Sequence, residues 1–153
     1  MNESKISAES EEVEVDIVEE HWNVYKLEDG SRVRTRVIVN KALVPKSMKY
    51  VKTVGSGFLI NAQTIVVAFP PSELRGPKNP KAVTQEDMES ADSEEIPILS
   101  FEEKWNFYKI PGKEGRIKVK MVVSSIYRIK NFYNQDGEPV YTVNSTIALG
   151  PTS

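Results

Sequence analysis

Polar and apolar residues alternate over residues 12–18, with Val13, Val15 and Ile17 on one side and Glu12, Glu14 and Asp16 on the other. A period of two marks a strand with one buried face. Trp22–Leu27 reads as a second, short strand rich in aromatic and aliphatic residues. Asp29-Gly30 follows, and Asp-Gly between two strand-like runs signals a hairpin because Gly tolerates positive φ. Arg32–Val44 reads as a long third strand. It carries Val33, Thr35, Val37 and Val39 on one face and Arg32, Arg34, Arg36, Ile38 and Asn40 on the other. Residues 47–57 form a loop containing Gly55 and Gly57. Phe58–Phe69 is a fourth strand, stopped by Pro70-Pro71.

The pattern then returns. Residues 93–110 repeat residues 10–27 at a constant offset of 83, with Ser, two Glu pairs, Trp-Asn and Tyr-Lys at matching places. Ile96–Phe101, Trp105–Ile110, Arg116–Lys130 and Val140–Leu149 match the four strands of the first copy, and Pro97 suggests an edge position. In the basic strand, Ile117, Val119, Met121 and Val123 point one way; Arg116, Lys118, Lys120 and Val122 point the other. The alternation slips at Ser124-Ser125, which predicts a bulge. Residues 71–92 have linker composition, Pro-rich and then acidic. Within them Thr84 is placed to cap one or two helical turns. Residues 1–9 lack periodicity and read as a disordered acidic tail.

These elements predict an all-β fold, internally duplicated, with almost no helix: two four-stranded antiparallel units over residues 10–70 and 93–153. A lone unit of ~60 residues has two edges and little core. The two are therefore expected to share one core, as a pseudo-two-fold sandwich or a closed β-barrel, the latter removing free edges.

Charge sharpens the picture. The net of −2 hides blocks of −7 (residues 1–20), +6 (21–70), −6 (71–103) and +5 (104–153). The acidic leaders could lie across from the basic strands and fix register as cross-strand pairs. Otherwise Arg32, Arg34 and Arg36, with Arg116, Lys118 and Lys120, form two basic ladders open to an anion or nucleic acid. Trp22, Trp105, Tyr25 and Tyr108 are expected in the core or at its rim, the alternative being exposed stacking platforms.

The absence of Cys excludes disulfides, thiolate nucleophiles and Cys-based metal sites. The single His21 has Lys104 at its repeat position. There is no nucleophile elbow, no phosphate-binding Gly loop and no calcium-loop spacing. Adjacent carboxylates on a strand point to opposite faces, so the Glu pairs do not converge. The expectation is a non-enzyme without metal or cofactor, cytoplasmic, with no membrane span and no signal peptide. It is expected to be a protein-interaction or assembly module that binds a protein partner or itself, the alternative being a nucleic-acid binder.

Overall fold

The computed structural model describes residues 10–48, 52, 54 and 57–152; the expected tail and Gly55 lie outside them. Ten strands follow in order: Ser10–Val13 (β1), Asp16–Glu19 (β2), Asn23–Leu27 (β3), Arg32–Pro45 (β4), Leu59–Phe69 (β5), Ser93–Glu95 (β6), Ile98–Glu102 (β7), Asn106–Lys109 (β8), Arg116–Tyr133 (β9) and Pro139–Thr152 (β10). They make two antiparallel sheets of five strands.

Each sheet has a long spine. Along one side of β4 runs β5, from Arg32 opposite Phe69 to Leu43 opposite Leu59. On its other side β3 takes the near end and β1 the far end. In the second sheet β9 is flanked by β10 on one side and by β8 and β6 on the other.

The remaining strands are exchanged. β2, from the first half of the chain, pairs with β8 of the second; β7, from the second half, pairs with β3 of the first. This corrects the expectation of four-stranded units. What the alternation presents as one leading strand is two short ones that enter different sheets. Across residues 12–18 the period of two runs straight through the break, so it cannot mark the change of sheet. In the second half Pro97 sits at the break and has no N–H to offer a ladder. The barrel expectation is corrected too. β5 and β10 each bond one neighbour only, so they end their sheets instead of closing them.

The inward faces of the sheets pack together as a sandwich. Val37, Val39, Ala42 and Val44 of β4 meet Tyr108, Ile117, Val119 and Met121 of β8 and β9 in one buried cluster. Tyr25, Leu27 and Val33 meet Ile96 and Ile126 in a second. Both clusters mix residues from the two halves. The predicted bulge is present: Asn144 faces Ser125 and Ser145 faces Val123, so Ser124 is passed over. A second shift, between Val39 and Lys41, passes over Asn40.

Between the halves lie a 3₁₀ turn, Ser72–Leu74, and one short α-helix, Gln85–Ser90, with the Thr84 cap accepting from the Asp87 N–H at 3.1 Å. The linker is seated on the β9–β10 hairpin by bonds from Gly76 N to Gly137 O and from Asn79 N to Asn134 O. Among the described residues no helix is long and apolar enough to cross a membrane.

Candidate functional site

Two crossovers carry the exchanged strands from sheet to sheet, and they set the position of both tryptophans. After β2 the chain passes through Glu20, His21 and Trp22 into β3; after β7 it passes through Glu103, Lys104 and Trp105 into β8. Matching bonds pin both passages. The His21 N–H donates to Asn106 Oδ1 and the Lys104 N–H donates to Asn23 Oδ1, each at 2.9 Å. Asn106 Nδ2 donates to the Val37 carbonyl and Asn23 Nδ2 to that of Met121. The Tyr108 hydroxyl donates to Glu20 at 2.8 Å, and that of Tyr25 to Glu103 at 2.6 Å. Burial, reinforced by these carboxylate bonds, holds both phenols well above the ordinary tyrosine range. Tyr25 and Tyr108 are thus core residues, and the expected rim or core role holds for them.

Asn23 and Asn106 point inward, so their preceding residues point out. Trp22 and Trp105 lie half-buried on the outer faces of the two sheets. The Arg34 and Arg36 guanidinium carbons stand 4.7 and 5.6 Å from the Trp22 ring centre. Lys118 and Lys120 place their Nζ atoms 4.5 and 4.7 Å from that of Trp105. Arg32 sits over Phe69 at 5.4 Å. Neither indole is a bare stacking platform; each supports cations, an attraction worth roughly 0.5–2 kcal/mol.

The six basic residues named from sequence therefore form two groups. Arg32, Arg34 and Arg36 share one outer face; Arg116, Lys118 and Lys120 share the other, on the far side of the sandwich. The acidic leaders do not lie across from them. β1 pairs with the far end of β4, where Glu12 bonds Lys41 at 2.8 Å, and β2 is in the second sheet, with β8 between it and the β9 cations. Only Arg36 is neutralised: Glu20, its side chain 6% exposed, bonds it at 2.7 Å. Among the described residues Arg32, Arg34, Arg116, Lys118 and Lys120 enter no ion pair. Sequence reasoning missed Phe69 and Phe107, which face Arg32 and Lys118 across their ladders. Parity could have placed Phe107 outward once its buried neighbours were known. His21 bonds Glu19 at 3.1 Å.

The free edges differ in character. β1, β2, β6 and β7 are short and carry Glu or Asp. β10 is long, but it contains Pro139, Pro151 and two register shifts. Such charges, prolines and bulges blunt an edge against further pairing. β5 spans 11 residues, LINAQTIVVAF; it carries no charge and no proline, and its one register shift lies at Asn40 of its partner β4. Leu59, Ile65, Val66, Val67 and Phe69 are 37–47% exposed, while Ile60, Ala62 and Ala68 of the inner face pack against the core.

Near its end β5 borders a groove of ≈ 550 Å³ between Val66–Ala68, the linker residues Val83 and Met88, and Pro139–Tyr141. Beside it Asp29 accepts from the Tyr141 hydroxyl at 2.7 Å and from Arg128 at 3.0 Å. Burial works against the Asp29 charge, yet the bonds from Tyr141 and Ser31 and the nearby Arg128 hold its carboxyl below the ordinary value. Burial also pushes the Tyr141 hydroxyl up to about 12, with Asp29 adding to the rise. The Ser31 hydroxyl is 2.6 Å from that of Tyr141. This network ties the Asp29-Gly30 turn of one half to β9 and β10 of the other.

No family model, curated protein or solved structure matches this chain.

Proposed function

We propose that the protein is an assembly module that self-associates by strand addition along β5. The carrying observation is that β5 is the one long edge among the described strands that holds neither a charge nor a proline. An unpaired row of backbone N–H and C=O groups flanked by apolar side chains is a template for another strand. A second copy fits it. β5 is uncharged, so antiparallel self-pairing opposes no like charges. Full overlap about Thr64 sets Leu59 of one copy beside Phe69 of the other. Such an isologous contact uses both edges at once and closes as a dimer. The sheet would then run on through ten strands.

Light scattering across a concentration series tests this. The expected result is a dimer for the unmodified chain and a monomer for Val67→Lys, which puts an edge charge on the outer face. A unmodified chain that stays monomeric at every concentration would sink the proposal. So would a Val67→Lys variant that dimerises as well as the parent.

A further inference from the structure

The cation–tryptophan clusters have no part in that edge contact. The geometry points to a binding site for the phosphate backbone of a single-stranded nucleic acid on the outer face of β8 and β9, built from Arg116, Lys118 and Lys120 with Trp105 and Phe107.

Three observations carry the inference. The first is the missing counter-charge. Among the described residues these three take no ion pair, nor do Arg32 and Arg34, while Arg36, at the matching place in the other sheet, is held by a buried Glu20. The matching carboxylate here, Glu103, is turned instead to the Val123 N–H and the Tyr25 hydroxyl. One face is thus partly neutralised from within; on the other the nearest leader carboxylates, Asp16 and Glu19 of β2, lie beyond β8, opposite Lys109 and Phe107.

The second is organisation. Lys118 and Lys120 are both drawn to the Trp105 ring, at 4.5 and 4.7 Å. The ring limits the rotamer freedom of two long side chains before any ligand arrives, and that ordering is a cost binding would otherwise meet. The third is shape. Alternate residues of β9 set the cations at steps of ~6.8 Å along a flat face. Such a row suits a repeating anion better than a lone one. Phe107, half-buried on this face beside the cation-bearing indole of Trp105, gives a base a surface to stack on. An acidic polypeptide has no use for that second feature, so a polynucleotide is favoured over it.

The electrostatic part makes binding sequence-independent and steeply salt-dependent. Three phosphate contacts give a slope of log K against log salt of roughly −2. The test is a titration of the full chain with a labelled oligothymidylate, read by anisotropy at several salt concentrations. In parallel, Trp22→Phe leaves Trp105 as the only indole, and Trp105→Phe leaves Trp22. The expected outcome is binding at low salt that fades along that slope, with the Trp105 emission responding more than that of Trp22. Lys118→Gln with Lys120→Gln should weaken binding about tenfold or more, while Arg36→Gln changes it little. The inference is overturned by no binding at low salt. It is also overturned if a poly-glutamate of equal charge binds as tightly, or if the lysine double variant binds like the parent while keeping its circular dichroism. Since Val67→Lys leaves this face untouched, the variant should bind the oligonucleotide normally whichever way its association state falls.

Discussion

At the residue scale, a few polar side chains inside an apolar sandwich do the work of holding two sheets in register. Asn23 and Asn106 each satisfy a backbone N–H and a carbonyl belonging to the opposite half, and both are almost wholly buried. An apolar residue there would leave the buried Val37 or Met121 carbonyl without this donor, at a cost of ~1–3 kcal/mol. The three bonded tyrosines make stability sensitive to alkali. Each has a folded-state hydroxyl raised above the ordinary 10, so the folded protein retains a proton that the unfolded chain gives up. Stability is complete below pH 10 and falls as pH rises beyond it, by about 1.4 kcal/mol per pH unit for each tyrosine. Urea midpoints across this range should therefore decline, and Tyr141→Phe should decline less steeply up to about pH 12. Parallel declines for parent and variant would contradict the assignment. At the acid end the sign reverses. The lowered Asp29 carboxyl stabilises above its unfolded value of 3.8 and ceases to as pH falls through its lower folded value.

Among elements, length and interruption decide which strands are finished and which are open. The short exchanged strands are closed off by charge; prolines interrupt others; among the described strands β5 is the long edge with neither. The linker shows the opposite condition, a segment of little apolar content held by close fit. A Cβ at Gly76 would run into the ring of Tyr133, and one at Gly137 into the Gly76 carbonyl. Gly76→Ala is expected to lift this segment from the hairpin at a cost of ~1–3 kcal/mol, since overpacking a tight contact forces side chains off their rotamers. Limited proteolysis should then cut between residues 70 and 92 faster than in the parent. An unchanged cleavage rate would mean that the seat tolerates the methyl group.

For the whole molecule, reciprocal exchange makes each half a structural part of the other. Removing either half takes a strand from the surviving sheet and strips both buried clusters of partners. Unfolding is therefore expected to be a single cooperative event. Trp22 and Trp105 sit on different sheets, so the Trp22→Phe and Trp105→Phe variants read the two sheets separately. Their emission midpoints in denaturant should coincide once each variant's own stability, measured by circular dichroism, is allowed for. A sheet that loses its indole signal well before the circular dichroism would show two units unfolding apart. The pairing of β2 with β8 and of β3 with β7 joins residues far apart in sequence, which also favours slow folding.

Much of this architecture is legible in the chain. Period-two alternation placed the spine strands, their inward and outward faces and the bulge at Ser124, because side chains on a strand must alternate whatever they pack against. The repeat announced matching elements, and Thr84 announced its helix. What alternation could not carry is the partner of each strand, since a strand shows the same pattern in any sheet that buries the same face. Hence the exchange of β2 and β7, the open edge of β5 and the outward cation–indole clusters emerged only in three dimensions. The same holds for charge. Sequence put acids and bases in alternating blocks, but whether they meet depends on which sheet each leader joins, and tertiary structure left one carboxylate on Arg36 and, among the described residues, none on Lys118 and Lys120.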